Sequence, residues 1–237
     1  MRRISYTVAL AAFLLFHNAI HAATIESRPP LIEVTGDAQV EIPADLAVLD
    51  FGVATQAPSA AVAARQNSER MEAVLAAVRK RLGADARITT GSYTLQTNYT
   101  SPRDGSPPKV IGYTASNIVQ LKTRALTRVG ETIDVAIEAG ANQVQRIVFT
   151  LSDDTTARRD ALRLAVARAR DKTQTIASAL GVKAGAVYSL IEQEVGGVRP
   201  LMRQAAAMSI ESAAQTPVEP GQIEVRARVV LTTAIDR

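Results

Sequence analysis

Reactive chemistry has few places to reside in this chain of 237 residues. It has no cysteine, and its two histidines, His17 and His21, both stand near the N-terminus. Beyond them there is no thiol nucleophile, no thiol redox switch, no imidazole for a Ser-His-Asp triad, and no His or Cys ligand for zinc or haem. The sequence has no phosphate loop, no GxGxxG turn and no GxSxG elbow. Carboxylates, lysine, serine and tyrosine remain. Asp153-Asp154 could form a metal pair, but Ser152 before them and an apolar stripe after them read better as the N-cap and first-turn acids of a helix. Glu192 and Glu194, two apart on one strand face, could work as acid and base. The plainer reading is the wet face of a strand. Lys172, near the apolar edge of a long helix, could be a desolvated nucleophile, whereas snorkelling over that edge is the default. No catalytic, cofactor-binding or metal residue is therefore assigned, and no cofactor is expected.

Other groups suit binding rather than turnover. Arg159, Arg163 and Arg170 line one edge of the long helix, with Arg168 and Lys172 on the other side. They could face an anionic partner or simply solvate the helix. Tyr93, Tyr99 and Tyr113 fall in one hairpin, where they could share a partner surface or pair across strands. Asn98-Tyr99-Thr100 matches a glycosylation sequon, a triplet common by chance. Met202 and Met208 would oxidise readily if exposed. No basic run exceeds three residues and aromatics are 4%, so nucleic acid is not an expected partner.

The elements that position these groups follow from periodicity. Ile32, Val34, Gly36, Ala38, Val40 and Ile42 alternate with polar residues, which predicts a half-buried strand. A second strand over 46–55 has apolar residues at both parities and is expected to be covered on both faces. Pro58 and Ser59 open a helix whose buried stripe is Val62, Met71, Val74, Leu75, Val78 and Leu82, closed by Gly83. Strands over 88–100 and 110–122 flank a Pro/Gly/Ser loop at 101–109. A short helix over 127–139, a strand over 144–151 and the long helix ending at Leu180 follow. Residues 187–193 read as a strand, 195–222 as a long mobile excursion, and 223–235 as a strongly alternating last strand. The fold class is α+β. Residues 44–152 carry the β-α-β-β-α-β order of a ferredoxin-like subdomain. The remaining pieces, 31–43 with 153–237, are expected to form a second α+β layer that brings the chain ends together.

The N-terminus reads as an export signal. Arg2 and Arg3 precede an uncharged run from Ile4 to Phe16, and small residues follow at Ala19, Ala22 and Ala23. The run is shorter than the ~18 to 20 residues of a membrane span. Residues 1–23 are expected to be a signal peptide cleaved near Ala22 or Ala23, and 24–30 a lead-in. The residues after the paired arginines do not fit the twin-arginine pattern. The expected compartment is the periplasm. With no disulfide available there, stability must come from the packed core. Without Arg2 and Arg3 the net charge is +2.

Several segments together resemble the SIMPL-domain family. Gly112-Tyr113-Thr114-Ala115-Ser116-Asn117 resembles its "GY-x-A-S-N" strand. Gly140-Ala141-Asn142 with Ile147-Val148-Phe149 and Leu151-Ser152-Asp153 resembles its "GAN…I-x-F-x-L-S-D" segment. Ala161-Leu162, Ala165-Val166, Ala169-Arg170, Lys172 and Ala179-Leu180-Gly181 resemble its long helix. Val34-Thr35-Gly36 fits its opening strand, and Thr216-Pro217 with Pro220-Gly221 its C-terminal signature. Thr173 departs from the family's usual alanine at a position on the buried stripe. The resemblance spans about residues 31–235 and implies an α+β fold, a periplasmic or outer-membrane-associated location and large ring-like homo-oligomers. Some relatives are immunogenic and one serves oxidative-stress defence. It brings no catalytic residues. The expected function is a non-enzymatic, oligomeric envelope or stress-related scaffold. The alternatives are a periplasmic binding module for a small or anionic ligand, or an enzyme built on carboxylates or lysine. A chain without thiol or imidazole after its leader cannot destroy peroxide by thiol or haem chemistry, so any protective role would be indirect.

Overall fold

A computed structural model describes residues 30–101, 106–195, 199–200, 216 and 218–236. The expected signal peptide, most of the lead-in, and Met202 and Met208 lie outside these residues. Two antiparallel sheets and three α-helices make up the described chain.

The first sheet pairs the two ends of the chain. Strand β1 (Leu31–Pro43) runs beside the last strand, β8 (Gln222–Asp236), in an unbroken register from Leu31↔Ala234 to Pro43↔Gln222. Strand β6 (Lys183–Gln193) lies on the other side of β8, and the short β7 (Arg199–Pro200) pairs with Glu224 and Ile223. Alternation selects one face of this sheet. Ile32, Val34 and Ala38 are buried with Ile223, Val225, Ala227, Val229 and Leu231, while Glu33, Thr35, Asp37 and Gln39 stay exposed. Helix α3 (Thr155–Ala179) covers that face with Ala157, Ala161, Ala165, Ala169, Thr173 and Ala177, a row at every fourth position. Small side chains let the helix sit close. A Cβ placed on Gly36 would lie 2.2 Å from the Ala165 carbonyl oxygen and 2.8 Å from the Ala169 Cβ. Thr173, the departure from alanine, stays buried by donating its hydroxyl to the Ala169 carbonyl at 3.0 Å.

The second sheet has the order β3-β4-β2-β5, from β2 (Leu46–Ala57), β3 (Arg87–Tyr99), β4 (Val110–Thr123) and β5 (Gln143–Thr150). Helices α1 (Ala60–Leu82) and α2 (Val129–Glu138) provide its core, which joins Leu49, Phe51 and Val53 to Met71, Val74, Val78, Val119, Leu121, Val129 and Ile133. Ser59 caps α1 by accepting from the Val62 amide, and Gly83, at φ 60°, ends it. Strand β2 is buried on one face, not two. Leu46, Val48, Asp50 and Ala54 on the opposite face are half-exposed, and Asp50 there binds Arg146 at 2.7 Å and Gln120 at 3.1 Å. An apolar residue at both parities was not enough to imply full cover, because the same face also carries the charged Asp50 with its partner Arg146.

Two features depart from the periodic reading. Ser152 does not cap α3. Asp154 occupies the cap position without a side-chain hydrogen bond to a helix amide, and Asp153 Oδ1 accepts from the Thr155 amide at 2.9 Å. Ser152 instead gives both its amide and its hydroxyl to Asp45, each at 2.6 Å, and accepts from Arg124 at 3.1 Å. This clasp ties the β1–β2 turn to the start of α3. The excursion over 195–222 is also anchored at both ends. Residues 199–200 join the first sheet, and Thr216 binds Asp134 of α2 through its hydroxyl at 2.6 Å.

The clasp makes a prediction. The Ser152 hydroxyl and amide hold the Asp45 carboxyl below its usual value, aided by Arg124. A depressed carboxyl contributes stability above its unfolded value of about 3.9 and loses it as pH falls through the lower folded value. Asp45→Asn should cost about 1 kcal/mol at pH 7, an exposed charge-assisted pair, and progressively less as pH falls toward 2. Urea midpoints of parent and variant at the two pH values check this. An equal gap at both would refute it.

Candidate functional site

Strand β6, the start of α3 and the lower part of β8 enclose a charged niche of about 250 Å³. It is lined by Arg158, Glu192, Gln193, Glu194, Val195, Arg226 and Ala227. Arg158 reaches Asp154 one turn earlier at 2.7 Å. Asp154 raises the guanidinium's already high value, and Glu194 and Glu192 add to it. Arg226 pairs with Glu224, whose side chain is buried. Glu192 and Glu194 make no ion pair among the described residues. The niche thus sets two arginines, Arg158 and Arg226, against four carboxylates, those of Asp154, Glu192, Glu194 and Glu224, a net negative surface suited to a cationic group.

Glu192 and Glu194 are brought together as the spacing suggested, but beside two arginines and open to solvent, not in the desolvated setting that a general acid needs. Asp153 and Asp154 turn to different partners, Thr155 and Arg158. Among the described residues no group of three or more Asp, Glu, His or Cys is placed to hold a metal ion. Lys172 does not lie over the apolar stripe. Its ammonium donates to the Thr35 carbonyl at 2.7 Å, and Arg168 donates to the Asp37 carbonyl at 2.8 Å. Both therefore cap the outer edge of β1.

The opposite flank of α3 carries an open groove of about 620 Å³ lined by Leu162, Arg163, Val166, Ala167 and Arg170. Among the described residues Arg163 has one acidic partner, Asp160, at 3.8 Å. The three hairpin tyrosines do not pair with one another. Tyr93 lies opposite Asn117, Tyr113 opposite Thr97, and Tyr99 opposite Val110. Tyr93 and Tyr99 are exposed, whereas Tyr113 packs near Ala57 and Ala63. The sequon Asn98 is held across the hairpin by Thr114 at 2.8 Å.

Sequence reasoning missed Arg158 and Arg226. The local signals were present: Arg158 follows Asp154 by four residues, and Arg226 sits two residues after Glu224 on one strand face. Their meeting with Glu192 depends on β6–β8 pairing, which no local pattern reveals. It also missed the apolar side chains left uncovered on β6: Val187, Tyr188, Leu190 and Ile191.

No helix among the described residues is long and apolar enough to cross a membrane. Residues 32–233 match the family described as SIMPL, protein of unknown function (DUF541). The chain is 31% identical over 169 residues to the 26 kDa periplasmic immunogenic protein of Brucella melitensis, covering 70% of this chain and 68% of the relative. It is 28% identical to the uncharacterized protein YggE of Edwardsiella ictaluri over 84% of each chain. To YggE of Escherichia coli K12 it is 26% identical, over 92% of this chain and 88% of the relative.

Proposed function

The chain belongs to the SIMPL family, and we propose that it is an exported, non-enzymatic envelope protein that works as an oligomeric scaffold. The observation that carries this is the uncovered apolar surface of β6, with Val187 53%, Tyr188 66%, Leu190 45% and Ile191 58% exposed in a single chain. Exposed apolar side chains gathered on one edge strand favour association. The name of the Brucella relative supports a periplasmic location. The strand order β3-β4-β2-β5, antiparallel throughout with α1 and α2 packed on it, supports reading residues 44–152 as a ferredoxin-like subdomain beside the layer of 31–43 with 153–237. In this reading, protection against stress comes from envelope integrity or partner binding. Light scattering on the chain without its leader tests the scaffold: a concentration-stable particle of several subunits is expected, and a strict monomer at high concentration overturns it.

The groove on α3 favours a second reading, a binding module for an anionic ligand with an apolar part. Arg163 and Arg170 rim an apolar wall. A thermal-shift screen with fatty acids and anionic lipids should give a stabilising hit that Arg163→Ala with Arg170→Ala removes. A flat screen counts against it.

A further inference from the structure

Rows of every fourth residue give α3 distinct sides. The alanine row from Ala157 to Ala177 meets the sheet. On one side of it, Arg168 and Lys172 reach the carbonyls of β1. The row on the other side holds Arg158, Leu162, Val166 and Arg170. It looks over β6, because Arg158 lines the niche together with Glu192 and Glu194. The strand below that row is bare. Val187, Leu190 and Glu192 are register partners of Thr233, Leu231 and Val229, so they share the sheet face that α3 covers. All three are nonetheless exposed, and neither Val187 nor Leu190 joins the core that α3 closes. A helix about 10 Å across spans two strands about 4.8 Å apart and leaves a third uncovered.

The niche and the groove are therefore consecutive parts of one trough. Arg158 lines the first, and Leu162, one turn on in the same row, lines the second. The strand register fixes their relation from below. Val229 is the partner of both Glu192 and Gly36, and Gly36 lies against Ala165 and Ala169. Glu192 thus stands level with the turn of α3 that carries Val166. Leu190 and Val187 continue from it past Arg170. Charge changes sign along this path. Toward the start of α3, two arginines meet four carboxylates, an excess that one compact cation would offset. In the groove the sign is positive. Arg170 makes no ion pair among the described residues, and Arg163 has Asp160 alone, at 3.8 Å. Apolar side chains form the wall between them and the floor beyond. The groove's volume of about 620 Å³ is that of a site for one small molecule.

We propose that this trough binds a single-chain zwitterionic lipid, a monoacyl phosphoethanolamine, with its ammonium at Glu192 and Glu194, its phosphate at Arg163 and Arg170, and its acyl chain along the bare face of β6. This rests on the second reading, an anionic ligand with an apolar part, and adds the cation that completes the head group. Such a head carries opposite charges close together, as the step from Glu192 to Arg170 does. Isothermal titration of the chain without its leader, with lysophosphatidylethanolamine below its micelle concentration, should show saturable binding. Lysophosphatidylglycerol has the same phosphodiester and no ammonium, and should bind about tenfold more weakly, the loss of one charge-assisted contact. Arg163→Ala with Arg170→Ala should abolish binding of both lipids. Glu192→Gln with Glu194→Gln should remove the preference and leave the glycerol lipid's binding unweakened. All four side chains are exposed, so the variants should melt with the parent. Equal affinity of the parent for the two lipids, or a preference that survives in the glutamine variant, overturns the proposal and leaves the anionic reading standing. If neither lipid binds, the proposal falls, and the fatty-acid screen decides the anionic reading separately.

Discussion

Replacing Gly36 with alanine should lower the unfolding free energy by about 3 kcal/mol, at the upper end of what overpacking costs. Glycine is a poor strand residue, and alanine at an unhindered strand position would stabilise by about 0.5 to 1 kcal/mol. The prediction therefore has the opposite sign to the backbone effect alone. Contact distance decides it. The added methyl would sit 2.2 Å from a backbone oxygen, that of Ala165, and 2.8 Å from the Ala169 Cβ. A backbone atom inside α3 cannot rotate away, so the helix must lift from the sheet. That loosens the whole row of alanines from Ala157 to Ala177, all fully or almost fully buried. Ala169→Gly should not rescue the variant, because it removes the Cβ contact and leaves both backbone contacts, the Ala165 oxygen and, at 2.9 Å, the Ala169 nitrogen. Denaturant unfolding followed by far-ultraviolet circular dichroism measures it, the chain having no tryptophan. A change within 0.5 kcal/mol would mean that α3 does not approach β1 this closely.

The same position shows how much of the fold was legible in the sequence. Gly36 was readable as inward-facing because residues 32–42 alternate without interruption, and the period of two needs nothing beyond neighbours. That a helix presses on it was not readable. The contact depends on α3, more than a hundred residues later, arriving with alanine at every fourth position. The same division holds elsewhere. Ser59 and Gly83 end α1 as their types suggest, because capping is local chemistry. Ser152 has the residue type of a cap and goes instead to Asp45, since a carboxylate offered by the β1–β2 turn is a better acceptor than helix amides are donors. The candidate site divides likewise. Glu192 and Glu194 stood out by spacing, while Arg158 and Arg226 joined them only through strand pairing. The free β6 edge had a faint signal: residues 184–191 mix apolar types at both parities, and two register shifts interrupt the pairing of β6 with β8.

Asn67→Asp should be the most damaging isosteric change in the core of the second sheet, costing about 3 to 5 kcal/mol at pH 7. The sequence places Asn67 in the gap between Val62 and Met71 on the apolar stripe of α1, and it is completely buried. Its amide nitrogen donates to the Val53 carbonyl at 2.8 Å and the Ala115 carbonyl at 3.0 Å. One side chain thus fastens the helix to two neighbouring strands, and Thr55 adds a bond to the Ala63 carbonyl at 2.7 Å. A carboxylate there would aim negative charge at two carbonyl oxygens with no donor to offer. Burial and those oxygens would raise its folded value well above the unfolded ~3.9. A raised acid makes the folded state hold a proton that the unfolded state releases, so stability falls as pH rises between the two values. The deficit relative to the parent should therefore be smallest near pH 4, where one O–H can still serve one carbonyl, and should grow toward pH 7. Asn67→Leu separates charge from the lost bonds: similar in volume and neutral, it should show a smaller deficit that does not change with pH. A flat pH profile for the aspartate variant would place the side chain in contact with water and detach α1 from β4, the strand that carries the tyrosine hairpin.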